Sequence, residues 1–222
     1  TGSHVSQIVL GADWDKKLGW IEQNFTDILQ PLGFTGSHVS QIVVNADWDK
    51  KLAWIEQNFT DILQPLGFTG YHVSQIVTGA DWDKKLAWIE QNFTVILQPL
   101  GFTGSHVSQI VLGADWDKKL GWIEQNFTDI LQPLGFTGSH VSQIVVNADW
   151  DKKLAWIEQN FTDILEPLGF SQYHTSQIIK GKGWKEKMEW IEKFFRDTKL
   201  TPKEAQKILI KKNWKEVLGY TT

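Results

Sequence analysis

The sequence predicts an all-α solenoid of tandem repeats, and three observations lead there. A 34-residue unit restarts at Thr1, Thr35, Thr69, Thr103 and Thr137, almost letter for letter and without gaps. Within each copy the apolar residues step by three and four positions, the spacing of a helix face rather than a strand. A unit this short cannot bury its own apolar face, so neighbouring copies must stack to make a core. The full copies are 1–34, 35–68, 69–102, 103–136 and 137–170; a diverged sixth, 171–200, is four residues short, and 201–222 is a half-copy that caps the C-terminal end.

Each copy reads as a short helix, a loop and a longer helix. Thr1 is placed to cap the first helix, with Val5, Ile8 and Val9 on one side of it. Gly11 ends that helix, and Leu10-Gly11-Ala12 forms a tight loop. Asp13 then stands where an N-cap is needed, and Asp15 lies in the first turn, where the positive helix end favours a carboxylate. Trp14, Leu18, Ile21, Phe25, Leu29 and Leu32 form a buried stripe, with Trp20 and Ile28 on a flank facing the adjacent copy. Pro31 and Gly33 close the long helix, and Phe34 opens the packing of the next copy. Tetratricopeptide repeats share the length but pair helices of similar size through small residues, which does not fit unequal helices with aromatic contacts.

The chain of 222 residues has no cysteine, which excludes a disulfide framework and thiolate metal sites and suits a reducing compartment. Thirteen Trp and twelve Phe supply large groups for a core. No apolar run is long enough for a membrane span, and no leader precedes Thr1, so a soluble protein is expected. The net charge of −4 hides a split: residues 1–170 carry 10 Lys against 20 Asp plus Glu, whereas 171–222 carry 12 Lys plus Arg against 6 acids. An acidic array therefore ends in a basic cap, the part that favours phosphate, unless both are merely solvated faces.

His4 recurs as His38, His72, His106, His140 and His174. Stacked helices hold equivalent atoms about 9–10 Å apart, too far for adjacent rungs to share a zinc ion with bonds near 2.1 Å, so these histidines are read as first-turn capping or packing groups. Asp13-Trp14-Asp15 lacks the downstream Gly and Glu of a calcium loop. Asn24-Phe25-Thr26 matches a glycosylation acceptor, yet it lies inside a predicted helix with Phe25 buried. No nucleophile, phosphate-loop or cofactor pattern is present. Paired carboxylates recur in every copy, whereas an active site is needed once. No enzyme activity, cofactor, metal or small-molecule substrate is expected.

Among such similar copies the differences carry information. Positions 10 and 11 read Leu10-Gly11, Val44-Asn45, Thr78-Gly79, Leu112-Gly113, Val146-Asn147 and Lys180-Gly181, all at the start of the interhelical loop. The long helix changes only at Gly19 (Ala53, Ala87, Ala155), Asp27 (Val95) and Gln30 (Glu166), and the short helix at Ser3 (Tyr71). Two readings of the loop variation stand side by side. Gly and Asn both tolerate positive φ, so the alternation serves a turn; or the loop tips are a reading edge.

Phe34-Thr35, Phe68-Thr69, the Gly-Phe endings and the stretch from Leu200 through Thr201-Pro202-Lys203-Glu204-Ala205-Gln206 to Leu209 carry a resemblance. In length, helix pattern and these residues the whole chain resembles transcription-activator-like effector repeats, including their divergent bacterial and marine relatives. The resemblance implies a right-handed superhelix that follows duplex DNA at one repeat per base pair. It implies an effector's place in the cytoplasm or a host nucleus. It also implies two loop-tip residues per copy, the first bracing the loop and the second facing a base in the major groove. Those pairs are Gly11-Ala12, Asn45-Ala46, Gly79-Ala80, Gly113-Ala114, Asn147-Ala148 and Gly181-Lys182.

Alanine at the base-facing place offers apolar contact without hydrogen-bonded readout, so sequence preference should be weak. Asp13 and Asp15 stand where the family has a glycine and a lysine, and they repel phosphate. The lysines that follow them are expected to compensate: Lys16 and Lys17, then Lys50 and Lys51, Lys84 and Lys85, Lys118 and Lys119, Lys152 and Lys153. Towards the C-terminus, Lys180, Lys182, Lys185, Lys211, Lys212 and Lys215 make the same edge strongly basic. The competing expectation is a structural or protein-interaction solenoid whose acidic face meets a basic partner. Residues 1–68 and 103–170 differ only at Gln64 against Glu166, which fits a two-copy block duplicated recently or by design, a scaffold with no ligand of its own.

Overall fold

The structure, a computed structural model, describes residues 2–220; the N-terminal Thr1 cap and the side chain of His4 lie outside the described part. The architecture is the expected α-solenoid pattern of repeated helix pairs, with no strand among the described residues. The chain divides into two compact units, Thr1–Trp116 and Asp117–Thr222, so the boundary falls at the start of the fourth long helix rather than between copies.

In the first unit the short helices are Gly2–Val9, Gly36–Val43, Gly70–Thr78 and Gly104–Leu112, and the long ones Trp14–Asn24, Trp48–Asn58 and Trp82–Asn92. The second unit holds the helix Trp116–Asn126 from its second residue on, then Gly138–Val145, Trp150–Asn160, Gln172–Ile179, Trp184–Phe194 and the capping pair Pro202–Leu209 and Trp214–Leu218.

Five of the described short helices begin with a capping box in which histidine replaces the usual Glu. The Thr35 hydroxyl accepts from the His38 N–H, and His38 Nδ1 accepts from the Thr35 N–H at 3.2 Å. The Thr69–His72, Thr103–His106 and Thr137–His140 pairs and the Ser171–His174 pair repeat it. The half-copy uses the ordinary form, with Glu204 Oε2 accepting from the Thr201 N–H at 2.8 Å. Capping, one of the roles expected for the histidine ladder, is therefore the role of the five described rungs, His38, His72, His106, His140 and His174.

The long helix does not run unbroken to Gly33. At Asn24 the backbone leaves the α region (φ −120°), and Phe25–Leu29 winds as a π-helix, with the Gln30 N–H reaching back five residues to Phe25. Asn24 Nδ2 donates to the Trp20 carbonyl at 2.8 Å, supplying a partner where the α pattern fails. Asn58, Asn92, Asn126 and Asn160 do the same. That use of the side chain gives the asparagine of the Asn-Phe-Thr pattern a structural role. In the sixth copy Phe194 takes this place, and the shortened segment closes as a single 3₁₀ turn, Phe195–Asp197. Gly33 and its equivalents adopt φ of 76–81° and end the segment as expected.

The core is the expected stripe with two exceptions. Leu52, Ile55, Phe59 and Leu63, with their equivalents in the following full copies, are fully buried, as is each Phe34-type residue. Trp14, expected in the stripe, is 48% exposed, its equivalents through Trp150 are half-buried, and only Trp184 and Trp214 are buried. Leu32 is half-buried as well. The expected flank contact appears where Trp122 meets Trp150 edge to face, 6.5 Å between centroids.

Close approach between copies fixes one glycine. A Cβ on Gly104 would stand 2.9 Å from the Gly67 backbone, whereas one on Gly121 would meet nothing within 4 Å. Gly121→Ala is therefore expected to stabilise by about 0.5–1 kcal/mol through helix propensity, as the natural Ala53, Ala87 and Ala155 suggest. Thermal denaturation checks this, and a lower Tm would refute it.

Candidate nucleic-acid interface at the interhelical loops

Every short helix ends the same way. The N–H of residue 11 or its equivalent bonds the carbonyl three residues back: Gly11 to Ile8 (3.0 Å), Asn45 to Ile42 (3.2 Å), Gly79 to Ile76 (3.1 Å), Gly113 to Ile110 (3.1 Å), Asn147 to Ile144 (3.2 Å) and Gly181 to Ile178 (3.3 Å). Where this residue is asparagine, its side chain closes the helix further. Asn45 Nδ2 donates to the Gln41 carbonyl at 2.6 Å, and Asn147 Nδ2 to the Gln143 carbonyl at 2.7 Å. The next residue, Ala12, Ala46, Ala80, Ala114 or Ala148, is exposed, as is Lys182.

The positive φ foreseen for the Gly/Asn position is not there: Gly79 and Gly113 have φ of −86° and −81°. It falls two residues later, on Asp13, Asp47, Asp81, Asp115 and Asp149, at 52–55°. Aspartate tolerates the left-handed region better than most residues, and the sixth copy puts Gly183 there at 64°. Asp13, Asp47, Asp81 and Asp149 consequently do not cap the long helix with their side chains, contrary to expectation. Their carboxylates turn to the lysine three residues on instead.

This separates the two lysines of each pair. Lys16, Lys50, Lys84 and Lys152 are exposed and pair with Asp13 (3.5 Å), Asp47 (3.4 Å), Asp81 (2.9 Å) and Asp149 (3.5 Å). Lys118 is exposed too. The Lys84 hydrogen bond draws the Asp81 carboxyl below its ordinary range. The second lysines, Lys17, Lys51, Lys85, Lys119 and Lys153, are only 3–7% exposed, as is Lys187 of the sixth copy. Side chains so largely covered offer a phosphate far less than the exposed lysines beside them, so that expectation is corrected for these five.

Lys153 Nζ donates to the Lys180 carbonyl at 3.3 Å, at the end of the next short helix. Lys17, Lys85 and Lys187 bring Nζ beneath Gly11, Gly79 and Gly181. A cation at a helix C-terminus is favourable, while burial pushes the ammonium pKa of Lys51, Lys85, Lys153 and Lys187 down. Sequence reasoning could have found them, because Lys17 lies three residues after Trp14 and four before Ile21, inside the stripe. Lys153→Met, which keeps the stem but leaves the Lys180 carbonyl without this donor, is expected to cost about 1 kcal/mol. Lys152→Ala should cost less than about 0.5 kcal/mol, as exposed pairs do. Equal costs in urea denaturation would contradict the division.

The first two loops enclose a groove of about 500 Å³ in which Asp13, Asp47 and Asp49 stand beside Lys16 and Lys17. The edge is thus acidic in the first unit. In the second, Lys182, Lys185, Lys211 and Lys212 are exposed. Lys185 Nζ lies 5.7 Å from the Trp184 ring centre, and Lys215 pairs with Glu186 at 2.9 Å while lying 5.8 Å from the Trp214 and Tyr220 rings. No helix among the described residues is long and apolar enough to cross a membrane. Comparison with protein-family models and with curated proteins finds no match.

Proposed function

We propose that the chain is a modular array that binds double-stranded DNA along its loop tips, one repeat per base pair, with weak sequence preference. The observation that carries this reading is the division of labour within each tip. The first residue is tied back to its short helix, most firmly through Asn45 and Asn147, and the second is exposed and, Lys182 excepted, small. That is the arrangement the resemblance to transcription-activator-like effector repeats implies. Phosphate contact falls to the exposed lysines Lys16, Lys50, Lys84, Lys118 and Lys152 and, above all, to Lys182, Lys185, Lys211 and Lys212. Lys17, Lys51, Lys85, Lys119 and Lys153 support the loops from below.

Fluorescence anisotropy of a labelled duplex at about 50 and 200 mM salt tests it, because phosphate contacts make affinity fall steeply across that range. Submicromolar binding that collapses at the higher salt is the expected result. Replacing Lys182, Lys211 and Lys212 by alanine should flatten the log–log salt slope by about 0.9 for each phosphate no longer neutralised. The second reading, a scaffold for a basic protein, is favoured by the exposed Asp15, Glu22 and Asp27 of the acidic copies. No duplex binding at the lower salt would leave that reading in front.

A further inference from the structure

The residues that differ most between copies do not share a groove with the alanine tips alone. In the first unit Leu10, Val44 and Thr78 line a second groove of about 620 Å³ together with Gln7, Gln41 and Gln75. Asn45 and Val44 border both grooves, so this one continues directly from the loop-tip edge. Gln7 and Gln41 are exposed and Gln75 half-exposed. Two of the amides are joined across copies, Gln75 Nε2 donating to Gln41 Oε1 at 3.3 Å. The Thr78 hydroxyl is engaged by the Ser74 and Gln75 carbonyls, 2.9 and 3.0 Å away, so that this residue adds no free donor to the groove.

We infer that Gln7, Gln41 and Gln75, with Leu10, Val44 and Thr78 beside them, form a row of base-edge contacts that supplies the readout the alanine tips lack. The inference rests on the DNA reading above. A glutamine amide presents a donor and an acceptor together, the pair that matches N6 and N7 of adenine in the major groove, and Leu, Val or the Thr methyl suits the thymine methyl beside it. Among the described residues no lysine or carboxylate lines this groove, which favours a neutral base edge over the phosphate backbone. In the second unit Gln177 Nε2 likewise donates to Gln143 Oε1, at 2.6 Å, but there an ammonium takes the amide oxygens as well: Lys180 Nζ donates to Gln143 Oε1 at 2.9 Å and to Gln177 Oε1 at 2.7 Å. The row therefore reads in the first unit, while the lysine-rich second unit holds phosphate.

Short homopolymeric duplexes, dA·dT and dG·dC, suit an array of near-identical repeats, and anisotropy titration of the full chain reads the preference. The wild type is expected to favour dA·dT by about 5- to 150-fold, the discrimination of one good bidentate pair. Gln41→Ala/Gln75→Ala should lose that preference with its salt slope and Tm unchanged. Duplex should also shift the Gln41 and Gln75 side-chain amide resonances. A double variant that keeps the preference, or a wild type that binds both duplexes equally, overturns this inference and leaves DNA binding standing. Amide shifts with an uncharged extended peptide and none with duplex also overturn it, assigning the groove to polypeptide. A wild type that binds neither duplex removes the DNA reading itself.

Discussion

Phe93→Ala is expected to destabilise the first unit by about 3–5 kcal/mol, the usual cost of emptying a buried aromatic site. Phe93 opens the π-helical segment of the third copy and is 2% exposed. Its ring meets Phe68, the last residue of the second copy, edge to face with centroids 5.7 Å apart. Phe68 in turn packs on the ring of the capping residue His72 at 6.2 Å. The truncation therefore leaves a cavity and unhooks one copy from the next.

The same hook appears as Phe34–Phe59 (5.3 Å), Phe136–Phe161 (5.2 Å) and Phe170–Phe195 (4.8 Å), so Phe161→Ala should behave alike in the second unit. In a repeat array each copy touches only its neighbours, so the truncation should broaden or split the unfolding transition as well as lower its midpoint. Urea denaturation followed by circular dichroism reads both effects. Val95→Ala, at a largely exposed site, is the control and should stay within about 0.5 kcal/mol. If Phe93→Ala proved as mild as Val95→Ala, the aromatic hook would not be what joins the copies.

Acidification is expected to produce the second large effect, beginning just below pH 6.5, the ordinary histidine pKa. In five capping boxes a histidine Nδ1 accepts a backbone N–H at 3.2–3.3 Å, which requires the neutral ring. Burial lowers the pKa of His38, His72, His106, His140 and His174 below the ordinary 6.5, and Lys203 adds to the shift at His174. A depressed folded-state pKa means the unfolded chain takes up these protons first. The capping contribution is then fully present above the unfolded pKa and is lost as pH falls through the folded one.

Each protonation removes one accepted backbone N–H bond, a net contribution of about 0.5–1.5 kcal/mol, and five boxes weaken over one pH window. Tm should fall between neutral pH and about pH 5, the histidine titration range. Replacing the five histidines by glutamine keeps an acceptor without the titration and should flatten that part of the profile. A wild-type Tm unchanged over this range would show that the ring nitrogens are not the acceptors. At lower pH a further decrease is expected as Glu204 is protonated, since its bonds from Thr201 hold its pKa below the ordinary value.

Much of the repeat could be read from one copy. The Thr35-type caps, the stripe from Leu52 to Leu63 and the closing Gly67 depend on spacing and on backbone preferences local to the chain. Asn58 shows where such reading stops. Its propensity is only mildly anti-helical, and what decides the π segment is a side chain donating to its own backbone at Trp54 while Phe59 turns onto Phe34 of the preceding copy. Asp47 is a similar case. An aspartate before a helix is ordinarily a cap, but two constraints the loop imposes, φ of 53° and Lys50 within 3.4 Å, give it another role.

The candidate interface was legible in outline only. The loop tips stood out because their first residues vary, and the second residues are exposed. The lysines looked alike in sequence, yet adjacent residues on a helix point about 100° apart. Lys50 therefore faces solvent while Lys51 lies under the loop. The glutamine row escaped notice because an invariant polar residue on a helix carries no signal until its neighbours from other copies stand beside it.

The all-α repeat, the bounds of the short helices, their Thr and Ser caps and most of the core were already present in the sequence, because these follow from spacing and local backbone chemistry. Tertiary structure alone decided which lysine of each pair is buried, that Asp47 and its equivalents take the left-handed conformation, and that Gln7, Gln41 and Gln75 meet in one groove. Each of these depends on contacts across a loop or between copies, and such contacts exist only once the copies have stacked.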